Sequence, residues 1–219
     1  MSISEMVTNR GIMRLYHFTP IENFISILER GYILSRSKVD ELKLLDDGFF
    51  TADYVDHMDE KRLDSLRNYI NLSLSRPNWY LLKEFQQRSE QNPRDWCILS
   101  LDISPMLNGT ALFSVCNAAS ATAKRYGVSG GSAAFERMFM QEIVTPKGIF
   151  TRKEIPRHYT TDIQAEVLIK DSISTEYIKE AFLPNQTKLN QYKAAFNLMG
   201  LNSSVLTVNQ ELFLGPKLK

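Results

Sequence analysis

The sequence predicts an α+β fold, on three observations. Short apolar runs with strand spacing recur along the chain without regular strand–helix–strand alternation. Between them lie segments with the i, i+3, i+4 spacing of helices. Hydrophobic residues make up 43% of the 219 and charged ones 23%, enough apolar material for the core of a single domain spanning 1–219.

The elements follow in order. Met13–Phe18 ("MRLYHF") reads as a strand. A helix follows, with Thr19 as N-cap, Pro20 at the first helical position and Glu22 completing a capping box. Ile21, Phe24, Ile25 and Leu28 form its apolar stripe, and Gly31 stops it. Residues 36–60 are polar and acidic and predict a long loop with at most a short helix. Asn68–Leu74 alternates, with Ile70, Leu72 and Leu74 on one face and Tyr69, Asn71 and Ser73 on the other, as a half-buried strand does. A helix over Trp79–Arg88 and strands over Trp96–Leu101 and Ala111–Cys116 come next. "VSGGSAAFERMFMQEI" predicts a turn at Gly130 and Gly131 and a helix through Ile143. Residues 147–158 read as irregular and Ile163–Ile169 ("IQAEVLI") as a strand. Helices near Thr175–Ala181 and Thr187–Met199 and a terminal strand in "SVLTVNQELFL" complete the series.

The net charge of +1 excludes a polycation, but the charges are unevenly placed. Residues 40–60 hold eight acids and one base, whereas residues 124–157 hold seven bases and three acids, a local excess suited to an anionic partner or to plain solvation. Cys97 and Cys116 sit in apolar runs without metal-ligand spacing and read as buried free thiols of a reducing compartment. No apolar run approaches the roughly 18 residues of a membrane span, and the N-terminus has no signal-peptide pattern, so a cytoplasmic location is expected. His17, His57 and His158 are not at ligand spacing, so no metal is expected. P-loop and GxGxxG signatures are absent.

Two residues invite a chemical reading. Glu166 is an acid inside an apolar strand, which puts it either at a solvated edge or in a site. His17 lies between aromatics at a strand-to-helix turn, either as a hydrogen-bonded core ring or as a ligand-binding one.

Four stretches, in order, carry a family resemblance: "LYHFTPIENFISILERGYILS", "KRLDSLRNYINLSLSRPNWYL", "SVCNAAS" and "IQAEVLI". Together they resemble the ADP-ribosyltransferase superfamily, and more narrowly the DarT-type toxins that transfer ADP-ribose from NAD to bases of single-stranded DNA. The chain departs from that pattern in "LSLSRPNWY", where the family reads closer to YF-x-x-x-NPM, and in the basic segment before "IQAEVLI". The resemblance implies a core of short, mostly antiparallel strands in two packed sheets with peripheral helices. It implies NAD as substrate, no metal, thymine or guanine as target, and a cognate antitoxin that removes the mark or binds the toxin.

The resemblance also implies residue roles. Glu166 would stabilise positive charge developing on the ribose and take a proton from the base nitrogen. His17 would donate to a ribose hydroxyl, with Tyr16, Thr19 and Asn23 beside it. Arg62 would hold the pyrophosphate, with Arg67 and Arg14 as rivals. Asn117 would hold the nicotinamide side or the incoming base, or else cap a strand-to-helix turn. Arg76, Trp79, Arg152, Lys153 and Arg157 are the candidates for DNA, by base stacking and phosphate contact. Two other readings stand beside this one. An RNA 2′-phosphotransferase-like NAD enzyme is disfavoured by the scarcity of histidine. A non-catalytic nucleic-acid-binding module on the same fold is disfavoured by the presence of Glu166, His17 and an available arginine.

Overall fold

A computed structural model describes residues 1–45, 66–88, 93–146 and 148–215. Before the first expected strand comes a helix that apolar spacing did not signal, α1 (Ile3–Arg10). Its start is set by a capping box between Ser2 and Glu5, and Gly11 ends it at φ 68°.

Strand β1 (Leu15–Pro20) runs two residues further than expected, pairing with β4 (Trp96–Leu101) as far as Pro20↔Trp96. Thr19 is therefore a buried strand residue opposite Cys97, and no side chain caps α2 (Ile21–Arg30). Instead, the first helical N–H, that of Ile21, donates to the Asp95 carbonyl at 2.8 Å. The expected apolar stripe holds: Ile21 and Phe24 are fully buried, and Gly31 closes the helix at φ 78° by donating to Ile27 and Leu28.

After β2 (Tyr32–Leu34), the start of the segment expected as a long loop with a short helix forms helix α3 (Arg36–Leu45), where Arg36 and Asp40 pair one turn apart. Strand β3 (Tyr69–Leu74) buries Ile70, Leu72 and Leu74 as its alternation predicts, and helix α4 (Trp79–Arg88) has its expected bounds.

Two of the next departures share one cause, tertiary pairing that cuts helices short. β5 (Leu112–Ser114) and α5 (Ala121–Tyr126) precede β6 (Ser129–Gly130). The following helix, α6, covers only Ser132–Arg137, because Ile143 belongs to β7 (Glu142–Thr145), paired with β8 (Gly148–Thr151). β9 (Glu166–Lys170) begins at Glu166, not Ile163, since Asp162 turns the chain: its Oδ1 accepts from the Gln164 N–H and its carbonyl from the Ala165 N–H. β10 (Ser172–Ser174) pairs with β2. Most of the expected Thr175–Ala181 helix is strand, β11 (Ile178–Leu183), held by β4. Helix α7 (Gln186–Leu198) starts on Asn185, and β12 (Leu206–Val208) runs parallel to β11 before the short helix Glu211–Leu214.

Eight strands are hydrogen-bonded in the order β12-β11-β4-β1-β3-β9-β5-β6, and β11–β12 is the parallel pair among them. The order divides at β1 and β3, which meet only at Leu15↔Leu74 and Tyr16↔Ser73. Beyond those two rungs the strands part, leaving two four-stranded halves joined at one end. One face packs the main core, where Leu15, Leu72, Leu99 and Val167 meet Phe24 of α2, Phe135 of α6 and Phe196 of α7. The other face carries a smaller cluster of Leu82 and Phe85 from α4 with Trp96, Ile98 and Phe182.

Candidate active site

The parted end of β1 and β3 is where the site residues converge. His17 lies just past the last β1–β3 rung, and its Nδ1 is 3.1 Å from the carbonyl oxygen of Asn71. A carbonyl only accepts, so Nδ1 carries the proton. Burial pushes the ring's pKa below its ordinary value, against the opposing effect of the Asn71 bond. The neutral ring therefore offers Nε2 as an acceptor. This reverses the expected sense: a ribose hydroxyl would donate to His17, not receive from it.

Glu166 is 5% exposed at the head of β9. Its Oε2 accepts from the Asn71 carboxamide at 2.9 Å and from the Ala118 backbone N–H at 2.8 Å. Asn71 thus touches both residues, with its backbone toward His17 and its side chain toward Glu166. From sequence, Asn71 is expected only as part of the polar face of β3. The signal available was an amide on the β3 face opposite Ile70 and Leu72, in a sheet where that face is also covered.

Asn117 supports the site through the backbone. Its Oδ1 accepts from the Ala119 N–H at 2.9 Å and its carbonyl from the Ser120 N–H at 3.0 Å. That turn presents the Ala118 N–H to Glu166, and Ser120 then caps α5. Asn117 therefore shapes the strand-to-helix turn, while the cap of the helix itself is Ser120.

Register explains the rest of the polar surface. Directly opposed residues in antiparallel strands share a face. The pairs Glu180↔Ser100, Ser100↔Tyr16, Tyr16↔Ser73, Ser73↔Glu166 and Glu166↔Ser114 draw one polar row across six strands. Tyr16 lies in this row, two strands from Glu166, and burial raises its phenol pKa. Thr19 is buried opposite Cys97, whose thiol points at the Thr19 carbonyl, and Asn23 lies in the first turn of α2, partly buried. Both cysteines are buried and free, and burial raises both thiols.

Of the expected pyrophosphate ligands, Arg62 lies outside the described residues. Arg67 is bonded to Asp40 of α3 at 2.6 Å, and Arg14 donates to the neighbouring Met13 carbonyl. Among the described residues no group of three or more His, Cys, Asp or Glu is placed to hold a metal ion, and no helix is long and apolar enough to cross a membrane.

The expected DNA contacts separate into three kinds. Arg152 is engaged inside its own loop. It donates to the carbonyls of Tyr159 (2.7 Å), Pro156 (3.1 Å) and Arg157 (3.0 Å) and to Thr161 Oγ1 (3.4 Å). A guanidinium so occupied fastens residues 156–161. The Trp79 indole N–H is likewise engaged within the chain, donating to the Phe213 carbonyl at 3.0 Å. Lys153 and Arg157 are exposed, while Arg76 is half-buried beside Tyr159.

Comparison with known proteins gives this geometry its context. Residues 16–214 match the family described as ssDNA thymidine ADP-ribosyltransferase, DarT. The chain belongs to the DarT family. That family is described as acting on thymidine, one of the two targets expected. Among solved structures, Thermus sp. 2.9 DarT in complex with ADP-ribosylated ssDNA is 12% identical with a TM-score of 0.60, over 91% of this chain and 95% of that one. Thermus sp. 2.9 DarT in complex with NAD+ is 11% identical, TM-score 0.60, over 91% and 96%. Thermosipho africanus DarTG in complex with ADP-ribose is 17% identical, TM-score 0.60, over 91% of this chain. The chain spans half the length of that DarTG chain. These likenesses carry the DarT fold; the chain has no significant match among curated proteins.

Proposed function

We propose that this chain transfers ADP-ribose from NAD to thymidine in single-stranded DNA, with Glu166 as its catalytic carboxylate and His17 as a ribose-orienting residue. The observation that carries the assignment is the Asn71 bridge, which ties Glu166 Oε2 and His17 Nδ1 to one residue at the parted end of β1 and β3. An anion fixed by two donors at that seam stabilises an oxocarbenium-like ribose without having to reorganise. Thymidine has one ring N–H, at N3, because N1 bears the sugar. As the N3 electron pair bonds to ribose C1′, the C1′–nicotinamide bond breaks with its pair going to nicotinamide, and the N3 proton passes to Glu166. Arg62 is retained as the proposed pyrophosphate ligand. Residues 1–219 are read as one catalytic domain acting in the cytoplasm. A cognate antitoxin, either a hydrolase of the mark or an inhibitor, is the proposed partner, since a chain that modifies its own cell's DNA needs one.

The test is to mix the protein, NAD and a thymidine-containing oligonucleotide and to look by mass spectrometry for the gain of one ADP-ribose. Glu166→Gln should lower transfer at least ~100-fold, the scale for loss of a general base. A well-folded Glu166→Gln protein with wild-type transfer would falsify the assignment.

A further inference from the structure

Resting on that reading of Glu166, we propose that Arg76, backed by the ring of Tyr159, is a specificity-determining residue that holds a carbonyl oxygen of the target thymine. Three features of the chain converge on it. First, β3 ends at Leu74 and is followed by Ser75, a non-glycine residue at φ 64°, pinned there by its N–H bond to the Arg14 carbonyl at 3.0 Å. Side chains rarely adopt this conformation, and where it persists it sets the direction of the chain that follows. Here it turns Arg76 back over the loop leading to Glu166.

Second, that loop receives the guanidinium as a platform does. Arg76 Cζ lies 4.5 Å from the Tyr159 ring centroid, and one terminal nitrogen donates to the Thr160 carbonyl at 3.3 Å. Asp162, four residues before Glu166, acts on Arg76 electrostatically, and the charges of both Asp162 and Glu166 reach Cys116. Ser73, near the end of β3, pairs with Glu166 at the head of β9, so the chain that leaves β3 into Arg76 emerges at the end of the sheet that carries the catalytic carboxylate.

Third, Arg76 is under-used. Its Nε is buried and makes no hydrogen bond. Holding the loop does not require it, because Arg152 already does so with four bonds. A buried donor left unbonded in a planar, always-charged group is costly unless a ligand supplies the acceptor.

The chemistry of thymine matches this pair. Its outer edge presents an acceptor, a donor and an acceptor: O2, N3–H and O4. A carboxylate takes the central proton and a guanidinium takes a flanking carbonyl. As the proton leaves N3, negative charge spreads onto O2 and O4, so the Arg76 bond strengthens towards the transition state. Cytosine has no proton on N3 to give, and adenine has no carbonyl to hold.

The experiment is steady-state transfer to a thymidine oligonucleotide by Arg76→Gln, Arg76→Lys and Tyr159→Leu, alongside calorimetric titration of each with NAD. The expected result for Arg76→Gln is a loss of about 10- to 100-fold in kcat/KM for the oligonucleotide, the scale of one hydrogen bond to a charged group, with NAD affinity unchanged. Arg76→Lys should recover part of the rate, and Tyr159→Leu should fall in the same direction as Arg76→Gln, carrying the test should that variant fail to fold. Undiminished transfer assigns the pair to loop packing and overturns the proposal. A parallel loss of NAD affinity also overturns it, by placing the guanidinium on the pyrophosphate. A dead Glu166→Gln beside a fully active Arg76→Gln refutes this proposal alone, whereas an active Glu166→Gln refutes the reading beneath it.

Discussion

The Asn71 carboxamide donates to Glu166 Oε2 at 2.9 Å across 95 residues of sequence, from the strand next to β9. Asn71→Ala removes that donor and keeps the Ala118 N–H bond to Oε2, while the His17 bond survives because it uses the Asn71 backbone. Transfer should fall about 10-fold or more, the cost of one charge-assisted hydrogen bond, chiefly in kcat with NAD affinity kept. Asn71→Asp should be worse at neutral pH, since it faces Glu166 with a second carboxylate, and should regain part of its rate on acidification, when the pair shares a proton. Rate–pH profiles of the two variants measure both effects.

His17 gives stability its own pH dependence. Its folded pKa is depressed by burial, so the unfolded chain binds the proton more readily. The stabilising contribution of the neutral ring is present above its ordinary value of about 6.5 and is lost as pH falls through the depressed folded value. Thermal melts of wild type and His17→Gln from pH 8 to pH 5, taken as about 1.5 units either side of that value, should diverge below it, with wild type losing more. Parallel curves would remove His17 from this account.

Arg152 is expected to affect stability more than DNA affinity. Arg152→Ala releases the carbonyls of Pro156, Arg157 and Tyr159, and Arg152→Lys should rescue poorly, because a point-like ammonium cannot span acceptors that a planar fork reaches. Differential scanning calorimetry should show both variants melting early, with Arg152→Ala the lower.

Lys153 and Arg157 are exposed cations of that segment. Replacing both by Ala should flatten the slope of log K against log salt for a labelled single strand by up to about 1.4, at roughly 0.7 per phosphate contact. Anisotropy titrations at several salt concentrations read this directly, and an unchanged slope would return the pair to plain solvation.

The sequence revealed those parts of the molecule whose causes are local. The alternation of β3, the apolar stripe of α2 and its stop at Gly31 can all be seen within ten residues. Glu166 and His17 stood out because each breaks its own local pattern. Asn71 did not, because a polar strand face looks the same whether it meets water or a carboxylate 95 residues away. Thr19 was misread as a cap for the converse reason: Thr-Pro-x-Glu is a sound helix start, but pairing with β4 kept Thr19 in the strand. The helix expected from the Gly130–Gly131 turn through Ile143 was cut short at Arg137, and most of that near Thr175–Ala181 was replaced by β11, where strand partners outweighed local propensity.

The two rungs that join β1 to β3 also set how the sheet protects its own amides. Leu99 and Val167 lie in strands bonded on both sides, so their backbone hydrogens should exchange with deuterated water only when large parts of the fold open. From His17 onward, β1 faces β3 without ladder bonds, and opening there breaks few contacts. An exchange map of the protein should therefore trace a fast line through an otherwise slow sheet, with His17 and Asn71 on its banks.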